Sequence, residues 1–324
     1  MLSRVANTIY WMCRYIERAE NVARFISVNL NLLLDMPSEA GKHWEPLVIT
    51  TGDQAHFEKK YPDYDRETVI RFLTFDRDYP NSIITCLAAA RENGRSIREI
   101  ISSEMWEHLN NFFLELADPK SPGLALEDPH RFFKIIQMRS HLFTGLMDCT
   151  MSHGEAWNFA RIGMMLERAD KTSRILDVKY FMLLPRSDLV NTPMDNIQWT
   201  AVLKSASAFE MFRKQHHHIT PRNVADFLIL DSQFPRSIRH CISKAMVCLH
   251  RISGSAPGSA HNVAEKRLGR LEADLEYADI DEIIDYGMHE YLDGLQTRLN
   301  QVDTGIGSTF FNIKSLNGTV TNEQ

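Results

Sequence analysis

The chain has 324 residues, 44% of them hydrophobic and 24% charged, with a net charge of −6. These values fit a globular protein with a sizeable core and give no electrostatic case for nucleic acid, which calls for a basic face. No uncharged apolar run approaches the roughly 20 residues of a membrane span, the start lacks the regions of a secretory signal, and the five scattered cysteines (Cys13, Cys86, Cys149, Cys241, Cys248) point to reduced thiols in a cytoplasm rather than a disulfide framework or zinc site.

Helical periodicity dominates from the start. A first long helix is predicted from Arg4 to Asp35, stopped by Pro37. Its seam is Ile9, Met12, Ile16, Ala19, Ala23, Ile26, Leu30 and Leu33, the 3-4 spacing of a helix packed lengthwise on another. Shorter helices follow near Trp44, over Glu67 to Phe75 and from Asn81, the last opened by the turn Asp76-Arg77-Asp78-Tyr79-Pro80 with proline at the first helical position. Helices are expected over 94–116 and 129–151, separated by a loop at Lys120-Ser121-Pro122-Gly123. A second long helix, Gly154 to Leu184, carries the seam Phe159, Ile162, Leu166, Ala169, Ser173, Leu176, Tyr180 and Leu183 and stops before Pro185. Each long helix has roughly 30 residues, about 45 Å at 1.5 Å per residue, so the two are expected at the centre. Further helices are predicted near Trp199, over Arg222 to Leu230, from Arg236, and over 262–278 and 281–303, with a loop at Ser253 to Ser259. No run alternates with the period of a strand.

The chain repeats itself. A shift of 150 places Glu17-Arg18-Ala19-Glu20 on Glu167-Arg168-Ala169-Asp170 and Arg24 on Arg174. A shift of 155 pairs Trp44 with Trp199, Phe57 with Phe212, Phe72 with Phe227, Asp76 with Asp231, Pro80 with Pro235, Ser82 with Ser237 and Cys86 with Cys241. This reading predicts an all-α fold of two tandem pseudo-repeats of a helical bundle with two long central helices. The repeats are residues 1–151 and 152–304, together one domain. The Gly-, Ser- and Thr-rich tail 305–324 is expected to be flexible, with Phe310-Phe311 available to dock.

The candidate functional residues lie on the long helices. Apolar edges cover most of the first one and leave a narrow polar stripe of Tyr10, Arg14, Glu17, Asn21, Arg24 and Asn31, flanked by Arg18 and Glu20. The matching stripe holds Glu167, Lys171 and Arg174, flanked by Arg168 and Asp170. Charges on a buried helix need partners. Two readings stand: a polar cavity shared by the stripes that binds a ligand, or an internal ion-pair network joining the halves.

Three motifs resemble the bacterial alpha-E domain family, an all-helical domain named for its Glu-Arg motif. They are Tyr10-Trp11-Met12-Cys13-Arg14-Tyr15-Ile16-Glu17-Arg18-Ala19-Glu20-Asn21-Val22-Ala23-Arg24, then Ala90-Arg91-Glu92-Asn93-Gly94-Arg95-Ser96-Ile97-Arg98 with Ser103-Glu104-Met105-Trp106, and Ile162-Gly163-Met164-Met165-Leu166-Glu167-Arg168-Ala169-Asp170. The resemblance covers roughly residues 1 to 310; Gly94 departs from the family pattern, which has alanine there. The resemblance implies a partner set more than an activity: such proteins are associated with circularly permuted ATP-grasp ligases and transglutaminase-like proteins. The expectation is a cytoplasmic accessory protein of an amide-bond-forming system, binding the ligase or its peptide product. The alternative is an enzyme of that pathway acting on an acyl or aminoacyl substrate between the Glu-Arg helices. The family supplies no catalytic residues to carry over.

Other patterns are weaker. Arg91, Glu92, Arg95 and Arg98 form a basic row that is either a solvated face or an anion clamp. Its counterparts in the second half are Met246, Val247 and His250, so it belongs to one half only. Carboxylates at Glu17/Glu20 and Glu167/Asp170 lack the Glu-x-x-His pairing of di-iron bundles, and His216-His217-His218 fits a solvated turn. No metal or cofactor is expected. Ser102-Ser103-Glu104 fits a cap or kink within a helix.

Overall fold

The unbroken 3-4 seams give two long helices, α1 (Ser3–Leu34) and α9 (Glu155–Met182), which pack lengthwise on each other. The computed structural model describes residues 1–34, 44–182 and 193–312, with side chains over 1–31, 44–177 and 195–312. The stops assigned to Pro37 and Pro185, and the side chains of Leu32, Leu33, Tyr180 and Leu183, lie outside the described residues. Between the long helices run α2 (Glu45–Thr51), α3 (Gln54–Glu58), α4 (Arg66–Phe75), α5 (Ile83–Ser96), α6 (Ser103–Ala117), α7 (Ser121–Glu127) and α8 (Pro129–Thr150). After them come α10 (Pro193–Ser205), α11 (Phe209–Gln215), α12 (Pro221–Leu230), α13 (Ile238–Ser253), α14 (Val263–Glu276), α15 (Ile280–Tyr286) and α16 (Met288–Ile306). The fold is all-α, with no strand among the described residues, and none of the described helices is long and apolar enough to cross a membrane.

Residues matched by the 155-residue shift take the same local roles. Ser82 caps α5 by accepting from Thr85 N (3.3 Å), and Ser237 caps α13 by accepting from His240 N (3.2 Å); such caps contribute about 1 kcal/mol each. Phe72 meets Phe57 edge-on at 5.2 Å and 89°, and Phe227 meets Phe212 at 5.6 Å and 86°. Helices α5 and α8 cover α1, while α13 and α16 cover α9. The short helices cross over: α2 packs mainly on α9 and α10 mainly on α1.

At one point the long helices all but touch. A Cβ on Gly163 would lie 2.4 Å from the Tyr10 carbonyl oxygen, so only glycine lets α9 approach α1 this closely. Gly94 has a similar reason on α5: a Cβ there would meet Leu109 Cδ2 at 3.0 Å and Met12 Sδ at 3.4 Å.

Several boundaries differ from expectation. Pro80 and Pro235 lie in turns two residues before the serine caps, not at first helical positions, because the serine side chains rather than prolines satisfy the first N–H groups. Ser121 to Gly123 open α7 instead of a loop, since proline in a first turn forfeits no helical hydrogen bond. The helix expected over 94–116 is two, α5 and α6. Ser102 caps α6 by accepting from Met105 N (3.1 Å). The helix expected over 281–303 is divided at Gly287, whose φ of +113° ends α15. Residues 305–312 are not tail: α16 runs to Ile306, a π-helical turn covers Gly307–Phe311, and Phe311 packs on Tyr10 and Phe159 (ring centroids 5.4 and 5.9 Å). Residues 313–324 lie outside the described residues.

Candidate functional site

Because α1 and α9 are covered on nearly every side, their polar stripes face each other. Glu17 and Glu167 are 5% and 0% exposed. Each Glu-Arg pair reaches across the interface to the other. Arg18 donates from Nε and Nη2 to the Glu167 carboxylate (2.7 and 3.0 Å), and Arg168 donates from Nε and Nη2 to Glu17 (both 2.8 Å). The third guanidinium nitrogen of each closes on its own half: Arg18 Nη1 donates to Asn81 Oδ1 (2.6 Å) and Arg168 Nη1 to the Pro235 carbonyl (3.3 Å). Both arginines are fully engaged, in the bidentate geometry that makes such pairs strong.

Auxiliary cations complete each side. Arg236 Nη1 donates to Glu17 Oε1 (3.1 Å) and its Nη2 to Glu20 Oε2 (2.9 Å). Glu20 also takes Arg24 and lies 3.4 Å from His141 Nε2. On the other side Arg14 Nε donates to Glu167 Oε2 (2.9 Å), and the Lys171 ammonium lies 3.6 Å from Oε1. Arg14 continues through Nη1 to Asp303 on α16 (2.7 Å), which also accepts from Tyr10 Oη (2.6 Å). Asp170 pairs with Lys171 (3.0 Å) and Arg174 (3.0 Å).

The buried carboxylates of the seam are held in their charged form by their partners. Burial pushes the Glu17 carboxyl up, but Arg168 and Arg236 outweigh it and hold it below the usual carboxylate range. Burial is likewise overcome at Glu167 by Arg18, Lys171 and Arg14, which hold it well below that range, and at Asp170 by Lys171 and Arg174. Burial raises the flanking thiols Cys86 and Cys241 to about 12. The arrangement is an internal ion-pair network.

Of the residues singled out by sequence, Arg14, Glu17, Arg18, Glu20, Arg24, Glu167, Arg168, Asp170 and Arg174 all lie in or next to this seam. The basic row does not join them. Arg91 Nε donates to Asn110 on α6 (2.8 Å), and Glu92 accepts from Arg91 (2.9 Å) and Arg95 (2.8 Å). Arg98 lies beyond the end of α5 and over the Trp106 ring at 5.1 Å, so the row is not one helical face. Arg236, Asn81 and Asp303 were not recognised from sequence. Arg236 had a signal: the 155-residue shift sets Pro235-Arg236-Ser237-Ile238 on Pro80-Asn81-Ser82-Ile83, a charge inside an otherwise matched turn. Among the described residues no group of three or more His, Cys, Asp and Glu side chains is placed to hold a metal ion, and His216 stacks on Phe212 (4.7 Å) at the end of α11.

The comparisons bear on the same motif. The Alpha-E family model, described as a predicted alpha-helical domain with a conserved ER motif, matches residues 1–311. Uncharacterized proteins of Mycobacterium bovis and Mycobacterium tuberculosis are each 21% identical over 322 residues, covering 94% of this chain and 35% of the relative. The chain thus spans about a third of the length of the curated relatives it matches. No solved structure matches it.

Proposed function

Since the chain belongs to the Alpha-E family, we propose that it is a helical accessory protein of an amide-bond-forming system in the cytoplasm, docking an ATP-grasp ligase or transglutaminase-like protein rather than performing the chemistry. The observation that carries this reading is the closure of the Glu-Arg seam. All three nitrogens of Arg18 and of Arg168 are taken by protein acceptors, and their carboxylate partners are buried. An enzyme working between these helices needs unpaired arginines over an open cavity to hold an acyl group. A network of fixed charges instead rigidifies a scaffold. The length of the mycobacterial relatives supports the same view, because there the helical unit forms about a third of a larger polypeptide.

The test is co-purification of the full chain with a circularly permuted ATP-grasp ligase from the same genome, followed by ligase turnover with and without the chain. A stable complex and faster turnover in its presence are expected. Turnover of an acyl or aminoacyl substrate by the chain alone, or a ligase indifferent to it, overturns the reading.

A further inference from the structure

Beside the seam, at Arg24, lies a cavity of about 390 Å³ between α1, α8, α10 and α11. Arg24, Lys134 and Lys204 bring three cations to its lining, against the single carboxylate of Glu210. Arg24 is only 7% exposed. Glu20 and His141 engage its Nη2 alone, and its buried Nε has no partner. Glu20 is moreover shared with Arg236, so one carboxylate serves two guanidiniums. Lys134 and Lys204 are exposed and form no ion pair among the described residues; the Lys204 ammonium lies over the Phe209 ring at 5.6 Å. The site is short of negative charge.

The described counterparts in the second half are paired. Arg174, the counterpart of Arg24, donates from Nε to both oxygens of Asp170 (3.1 and 3.0 Å). Asp177 replaces Ser27 and binds His289 of α16 (2.6 Å). Ile49 stands at the position of Lys204, and Gly52 comes so near that a Cβ would lie 2.9 Å from Arg174 Nη1. Among the described residues, the cations without a carboxylate of their own thus gather at Arg24 rather than at Arg174.

The hollow continues, through shared Val28, Asn31 and Lys204, into a smaller one of about 170 Å³ with Ile197 and Ala201 as an apolar wall and Asn196 at its side. Amides recur along the path: Asn31, Asn196 and Gln137, whose Nε2 donates to Ser27 Oγ (3.0 Å). Side-chain amides match the donor and acceptor of a peptide group, while arginine and lysine match a carboxylate. We propose that this double cavity binds the carboxyl-terminal end of a short peptide, with the carboxylate held by Arg24, Lys134 and Lys204 and the preceding peptide groups lying along the amides. The inference stands on the cavity alone and adds a ligand to the function proposed above.

The test is calorimetric titration of the full chain, without any ligase, with N-acetyl-trialanine, its carboxyl-terminal amide and inorganic phosphate. The peptide acid should bind at about 1 mM or tighter and the amide at least about tenfold more weakly. The double variant Lys134→Ala/Lys204→Ala, at two exposed positions, should keep its melting temperature and lose at least about tenfold in affinity. Equal binding of acid and amide, unchanged affinity in the double variant, or phosphate binding as tight as the peptide overturns the proposal. A ligase complex that forms without peptide binding sinks this inference alone; peptide binding without a ligase complex sinks only the accessory role.

Discussion

The turns before α5 and α13 occupy equivalent places and solve one problem differently. In the first half Asp53 accepts from Tyr79 Oη (2.6 Å) and Asn81 Nδ2 (2.9 Å), and Asn81 in turn steadies Arg18. In the second half the corresponding residues are Ala208, Phe234 and Arg236: the polar cluster is gone, and the arginine itself reaches Glu17 and Glu20. The long helices compensate. Lys171, four residues after Glu167, stands where Asn21 follows Glu17. Each buried glutamate thus receives one arginine fork plus further cation: Arg236 from a turn for Glu17, and Arg14 of the facing helix with Lys171 of its own helix for Glu167. What matters physically is that neither carboxylate is left unmatched in a low-dielectric interior; where the charge comes from is free to differ.

The largest expected effect treats both sides together. Glu17, Glu167 and Asp170 have carboxyl pKa values below their unfolded ones. Their contribution is therefore complete above the ordinary carboxylate range, about pH 4, and is lost as pH falls through the depressed folded values. Urea midpoints should be flat from neutral pH down to about 5 and drop steeply below about 4. A midpoint independent of pH down to about 3 means the seam contributes little.

Separating the sides comes next. Glu167→Ala takes a carboxylate from three cations, of which Arg14 keeps Asp303, Lys171 keeps Asp170 and Arg18 keeps none, whereas Glu17→Ala takes one from two, of which Arg236 keeps Glu20 and Arg168 keeps none. Glu167→Ala should cost about 3–5 kcal/mol in urea denaturation and Glu17→Ala about 1 kcal/mol less; the reverse order breaks the comparison. At the crossing, Gly163→Ala should cost about 3 kcal/mol, since its Cβ meets backbone that cannot swing aside. Cys13→Ala, at the matching position on α1, only shortens a side chain and should cost less.

The comparison can also be redrawn. Arg236→Asn copies the first turn and should cost about 2 kcal/mol, because Glu17 and Glu20 each lose a charged hydrogen bond. Adding Asn21→Lys then copies the Glu167 side and should recover at least half of that loss in thermal melts. No recovery means the two arrangements are not interchangeable. The smallest effect is Tyr79→Phe, which copies Phe234 and removes one hydrogen bond to Asp53. It should cost about 1 kcal/mol by the same measurement.

Sequence alone determined the all-helical class, the starts of the two long helices to within a residue, a cap or kink at Ser102-Ser103-Glu104, and the stripes of Glu17 and Glu167 with Arg18 and Arg168 on their flanks. These are local properties: a 3.6-residue period and a cap are written within one stretch of chain. Only the tertiary structure decided that Arg18 seeks Glu167 while Arg168 seeks Glu17, that α2 and α10 cross to the opposite long helix, that Arg236 and Asp303 enter the seam, and that Gly163 marks the closest approach. A guanidinium reaches past its own helix, so its partner depends on the rotation and offset of two packed helices, which no single helix encodes. The cationic hollow at Arg24 was hidden for the same reason, since four separate helices supply its walls.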